Sequence, residues 1–168
     1  MKDIVLDNSV LSAFTKIGRF ELLREILKEC RVYIADTVFR EIIFEDVINS
    51  VRFGEEKSGN KWIIVERVDI HDIKEPGIGD GEAGTIKLAL KKHAIAVIDD
   101  LDARKFATKH RVKTVGTLAL LKNSYKKGMI SGSELISILH DLETKDAFRM
   151  TPKLKEWILE NYTLPRSL

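Results

Sequence analysis

Short, wholly apolar runs alternate along this chain with longer stretches of helical spacing. Ile4-Val5-Leu6 has no polar residue interleaved, so it predicts a strand covered on both faces. Residues 9–16 and 20–28 carry apolar positions at helical spacing and are separated by Gly18. Residues 31–35 form a second β-branched and aromatic run. A helix follows, which Asp36 or Thr37 could cap and whose stripe is Val38, Phe39, Ile42 and Ile43. A further helix is predicted from Glu45 to about Phe53, a turn at Lys57-Ser58-Gly59-Asn60, and an edge strand over 62–65. The glycine-rich segment 75–81 is a loop, with Asp80 placed to cap the helix running through Ile86, Ala89 and Leu90. Strands over 94–98 and 112–115 are each followed by a helix, 101–110 and 117–127 respectively. Helices over 131–143 and 151–162 complete the chain.

Strand and helix in alternation imply right-handed crossovers and a mainly parallel sheet between two helical layers, an α/β/α sandwich. A length of 168 residues fits one domain with an adequate core, at 44% hydrophobic content. Cys30 is the single cysteine, which rules out a disulfide framework and suits a reducing cytoplasm. No apolar run approaches the roughly 18 residues that cross a bilayer, and the N-terminus lacks a signal-peptide pattern.

In parallel sheets of this kind ligands bind beyond the carboxyl ends of the strands. Asp7 directly follows the first strand, and Asp99 and Asp100 directly follow the strand over 94–98. One acid after one strand is an ordinary turn or cap residue; two strands ending this way point to a site. Glu41 borders the apolar stripe of its helix, and Glu82 lies in the first turn after the glycine-rich loop, where it also suits the helix dipole. Asp102 is a first-turn acid or an outer partner of the pair. Asp7, Glu41, Glu82 and the Asp99/Asp100 pair would repel one another if brought together without a cation. Their all-oxygen chemistry suits Mg²⁺ or Mn²⁺, and hard cations held by acids serve displacement at phosphorus.

The net charge of +2 conceals an asymmetry. Between Ala103 and Gly128 stand Arg104, Lys105, Lys109, Arg111, Lys113, Lys122, Lys126 and Lys127 without a single acid. Such a run is a solvated lysine face in many proteins, but beside an acidic pocket it predicts a grip on RNA phosphates. His93 and His110 read as exposed helix-end residues.

Several motifs occur in a fixed order: Ile4 through Leu11 with Asp7-Asn8-Ser9, then Ile17-Gly18-Arg19, then the helix holding Val38 and Glu41. Gly79-Asp80-Gly81-Glu82-Ala83, Asp99-Asp100-Leu101-Asp102-Ala103-Arg104 and Gly116-Thr117-Leu118 follow. In this order they resemble the PIN-domain superfamily, in its branch of short prokaryotic proteins described as predicted nucleic-acid-binding. The resemblance covers residues 3 to about 143, leaving 144–168 as a C-terminal helical extension for a dimer or partner contact. It implies a flap-endonuclease-like α/β/α fold and Mg²⁺- or Mn²⁺-dependent phosphodiester cleavage by Asp7, Glu41, Glu82 and Asp100, with Asp99 beside it. Ser9 would orient Asp7 or a metal-bound water. The resemblance further implies homodimers and, for many relatives, the role of toxin against a partner antitoxin. Asn8 stands where threonine is common, and either member of the Asp99/Asp100 pair could be the fourth acid.

The sequence therefore points to a metal-dependent endoribonuclease leaving a 5′-phosphate and a 3′-hydroxyl. Its rival is a nucleic-acid- or antitoxin-binding module of the same fold without turnover. A receiver-like phosphoacceptor would place an acidic pair after the first strand and a lysine after a late one; here a single Asp7 and Gly116-Thr117 stand there.

Overall fold

Val5 and Leu6 are fully buried because strand β1 (Lys2–Leu6) has a strand on either side and is covered on both faces, by α5 among others. The computed structural model describes residues 1–54, 61–146, 148–153, 155, 156 and 158. β1 pairs in parallel with β2 (Cys30–Ala35) on one side and β5 (Ile95–Val97) on the other. β4 (Ile63–Glu66) and the edge strand β3 (Val51–Phe53) extend the sheet beyond β2, and β6 (Thr114–Val115) extends it beyond β5. The resulting order is β3-β4-β2-β1-β5-β6, all parallel.

Helices α1 (Asn8–Lys16) and α2 (Phe20–Leu27) connect β1 to β2, and α3 (Asp36–Glu41) and α4 (Glu45–Asn49) lead on to β3. Helix α5 (Asp80–Lys92) carries the chain back across β2 and β1 to β5. α6 (Leu101–Lys109) connects β5 to β6, and α7 (Thr117–Lys126) and α8 (Gly132–Lys145) follow. The chain thus leaves β1 in one direction and β5 in the other. The crevice beyond the ends of these two neighbours is the switch point where such sheets bind ligands.

Several predicted elements fall differently in the structure. The helix expected through Phe53 stops at Asn49, and Val51–Phe53 is a strand. Short β-branched and aromatic runs do not reveal their period, and here Phe53 gains an edge-on contact with Phe39 at 5.2 Å. α3 ends at Glu41, so Ile43 is not part of its buried stripe and is 83% exposed. Neither Asp36 nor Thr37 caps α3. Asp36 instead accepts the Val68 N–H at 3.1 Å and pairs with Arg40. Gly79, not Asp80, is the N-cap of α5, and Glu82 reaches back to accept the Gly79 N–H at 2.9 Å. The turn expected at 57–60 lies outside the described residues, as does 159–162 of the last helix; residues 152, 153, 155, 156 and 158 are helical. His110 is not exposed: it packs edge-on against Phe106 at 4.6 Å.

Four helices end on a residue with positive φ. After α1 and α7 it is glycine, at Gly18 and Gly128; at α5 and after α6 it is His93 (φ 52°) and Arg111 (φ 59°). A left-handed backbone costs an L-residue with a Cβ about 1–2 kcal/mol. The chain bears that strain at only these two described positions.

Candidate active site

Asp7 is fixed from both directions. Its backbone N–H donates to the Val97 carbonyl at 3.1 Å, holding it against the end of β5. Its side chain caps α1: Oδ2 accepts the Ser9 N–H (3.1 Å) and Ser9 hydroxyl (2.5 Å), and Thr85 Oγ1 on α5 stands 3.5 Å from Oδ1. Only 5% of Asp7 is exposed.

Glu41 arrives from the last turn of α3, where one oxygen accepts the Gly81 N–H at 3.1 Å. This approach needs glycine at 81, because a Cβ there would lie 2.6 Å from a Glu41 oxygen. One turn on, a Cβ at Gly84 would lie 2.0 Å from Thr37 Oγ1 and 3.0 Å from the Ala35 Cβ. Gly81 and Gly84 together let α5 close onto α3, and that closeness sets the Glu41 carboxylate beside the start of α5. Sequence reasoning did not assign this role, nor the contacts of Thr85 and Thr117. Its only available signal was glycine recurring inside a helical pattern, which marks close approach.

The pair after β5 divides. Asp99 turns inward: its two oxygens accept the Thr117 N–H (2.8 Å) and Thr117 hydroxyl (2.6 Å) at the start of α7. Asp100 turns outward and caps α6, with Oδ1 accepting the Asp102 and Ala103 N–H groups at 2.9 and 2.8 Å. Its Oδ2 accepts no hydrogen bond among the described residues.

These acids feel one another. Burial is the first cause raising the Glu41, Glu82 and Asp99 carboxyls above their ordinary values, and the charge of Asp7 adds to all three. Asp100 and Glu41 push Glu82 up further, while Thr117 and Arg104 partly counter the rise at Asp99. A raised carboxyl pKa contributes stability that is present below the ordinary value, 4.5 for Glu and 3.8 for Asp, and lost as pH rises through the folded value. The carboxyl carbons of Glu41, Glu82 and Asp99 should therefore titrate by NMR above those ordinary values, and all three midpoints should fall in Asp7→Asn. Midpoints indifferent to residue 7 would show that the acids do not share one electrostatic site.

Whether this set suits a divalent ion turns on its donors. They are carboxylate oxygens with neighbouring hydroxyls, the chemistry of Mg²⁺ and Mn²⁺. Among the described residues no three acidic, histidine or cysteine side chains are grouped closely enough to cage an ion. Mg²⁺ does not require a cage; it keeps several waters and binds through one or two carboxylates together with substrate phosphate. The residues fit such an ion.

The basic run does not form one face beside the acids. Arg104 lies near Asp99, and the exposed Lys105 pairs with Asp102 at 2.7 Å. Lys109 pairs with Glu75 at 2.5 Å, and Lys122 is half-buried on α7. Arg111 and Lys113 stand at the opposite, amino end of the sheet, lining a cavity with Lys2 and His93.

Among the described residues no helix is long and apolar enough to cross a membrane. No curated protein matches this chain. Among solved structures it is similar to a PilT N-terminus domain protein of the hyperthermophilic archaeon Sulfolobus solfataricus P2. That likeness has 17% identity and a TM-score of 0.52, and covers 73% of this chain and 92% of the other; it shows the fold. A family model described as a PIN domain matches residues 3–163, past the point where the sequence motifs end. PIN domains are generally nucleases that use divalent metals. With nearly the whole length matched, and its acids arrayed beyond β1 and β5, the chain belongs to the PIN-domain family.

Proposed function

We propose that this PIN domain is a Mg²⁺- or Mn²⁺-dependent endoribonuclease. The observation that carries the reading is the arrival of acids from four separate segments at the β1/β5 switch point: Asp7, Glu41, Glu82 and the Asp99/Asp100 pair. Asp7, Glu41, Glu82 and Asp100 would hold the ion, with Asp99 behind them. A divalent ion bound there supplies Lewis-acid chemistry for hydrolysing a phosphodiester. Ser9 holds one Asp7 oxygen in place, and Thr117 does the same for both oxygens of Asp99. Arg104, half-buried beside Asp99, would meet a phosphate entering the crevice, with Lys105, Lys109 and Lys122 farther out on α6 and α7. Homodimer formation and control by an antitoxin belong to the same proposal. The exposed Ile43 between α3 and α4, Ile48 on α4 and Phe53 on the edge strand β3 offer apolar surface for such a contact.

The test is incubation of total RNA with protein and Mn²⁺, with end-group analysis of the fragments. Cleavage leaving 5′-phosphate and 3′-hydroxyl ends, abolished by EDTA, is expected. Asp100→Asn should lose more activity than Asp99→Asn, since only Asp100 has an oxygen unclaimed by neighbours. The reverse order makes Asp99 the principal ligand. A second reading, an RNA-binding module without turnover, is favoured because no three acids among the described residues are grouped closely enough to cage an ion. RNA binding that weakens steeply with salt, with no product at any Mn²⁺ concentration, would decide for it.

A further inference from the structure

We infer that the amino end of the sheet is a second site, built to bind phosphate and separate from the acidic crevice. A cavity of about 640 Å³ opens there between the start of β1 and β5, the end of α5 and the turn before β6. That volume lies within the range of small-molecule sites, about 300–1,000 Å³. Lys2 lies five residues before Asp7 on an extended strand, so the two sites are about 16 Å apart.

The lining is cationic. Arg31 and Lys92 already have partners: Arg31 forms a two-point pair with Asp3, and Lys92 is held by Glu66 and the Tyr33 ring. Lys2, His93, Arg111 and Lys113 form no ion pair among the described residues, and Asp3 is the single acid of the lining. On α6, by contrast, Lys105 and Lys109 each meet an acid; the four unpaired basic side chains of the cavity converge without one.

Backbone strain gives the second, independent reason. Where this chain needs only a left-handed helix end, it uses Gly18 and Gly128. At the two helix ends bordering the cavity it instead carries His93 and Arg111, each strained by its Cβ. A cation at a helix C-terminus also favours the dipole, but Lys91 and Lys92 already serve α5 and Lys109 serves α6. The strained side chains are kept for the cavity they line. Helix carbonyl oxygens at these ends repel an anion, so binding depends on the side chains, and several positive charges call for a multiply charged ligand. A phosphate or pyrophosphate group meets that need, with Arg111 able to offer a forked pair of donors.

The group could belong to a free nucleotide or to an RNA chain. Calorimetric titration with inorganic pyrophosphate, and separately with a short single-stranded RNA, in EDTA distinguishes these sources and excludes any contribution from cleavage. Arg111→Gly preserves the left-handed turn and relieves the Cβ strain, so the variant should fold with a melting temperature equal to or above that of wild type. Combined with Lys113→Ala it should weaken binding at least tenfold. Pyrophosphate affinity lost in the double variant supports a small-nucleotide site. Loss confined to the RNA arm supports a backbone phosphate. Equal affinity of wild type and variant for both probes, or no binding of either by wild type, overturns the inference. Because no metal is present, its failure is separate from failure of the nuclease reading.

Discussion

Asp7→Asn should reduce Mn²⁺-dependent RNA cleavage by about 10³-fold or more, a loss typical of removing a group central to the chemistry, while raising the melting temperature at pH 7. The two effects have one origin. Asp7 is the acid whose charge reaches Glu41, Glu82 and Asp99 alike, so neutralising it removes the shared repulsion along with a ligand. Asparagine caps a helix as well as aspartate does, and its oxygen can still accept the Ser9 N–H. Its amide can donate to Thr85 Oγ1, so the crevice keeps its shape. The neighbouring acids are partly exposed and water screens them, which limits the relief to about 1 kcal/mol or less. For a chain of this size that is a rise of about 2–4 °C. Asp102→Asn, on the exposed surface of α6, serves as control and should leave both readings near wild type. A fully active Asp7→Asn protein would refute the nuclease proposal, and a large drop in melting temperature would show that Asp7 is there to hold the fold.

Much of this arrangement is legible in the amino-acid sequence itself. β1 and β5 are read from the unbroken apolar runs Ile4–Leu6 and Ala94–Ile98, as segments buried on both faces require; β1 also takes in the exposed Lys2 and half-buried Asp3 at its start. The acids that end them follow from chain order alone. Three features were not legible, each for a physical reason. Residues 51–53 are too few to reveal a period, and only pairing with β4 makes them a strand. The basic run reads as continuous from 104 to 127, yet α6 runs against the direction of the strands. Its nine residues carry the chain about 13 Å, so Arg104 and Arg111 lie toward opposite ends of the strands. Linear charge patterning cannot see that reversal. The approach of α5 to α3 was hidden for a related reason: a glycine in a helix signals closeness without naming the partner.

That closeness gives a pair of substitutions with opposite signatures. Gly84→Ala should destabilise the protein by about 2 kcal/mol, lowering the melting temperature by about 4–8 °C. The new methyl would meet Thr37 Oγ1 at 2.0 Å, Thr37 Cβ at 3.2 Å and Ala35 Cβ at 3.0 Å. None of these is the free end of a long side chain, so α3 or the end of β2 must move, and this outweighs the roughly 1 kcal/mol that alanine adds to helix propensity. Adding Thr37→Ala should recover part of the loss, since it removes the nearest atom and leaves the Ala35 contact. Gly81→Ala meets only the mobile end of Glu41, at 2.6 Å, and that side chain can swing into solvent. Its melting temperature should stay within about 2 °C of wild type, with helix propensity offsetting the lost Gly81–Glu41 bond. Cleavage, however, should fall by about 10²-fold, because a ligand displaced by an ångström no longer meets the ion and the phosphate together. Thermal melts and single-turnover cleavage on both variants separate the two roles. A stable, fully active Gly81→Ala protein would remove Glu41 from the site, and an unperturbed Gly84→Ala protein would mean that α3 and α5 are not locked together.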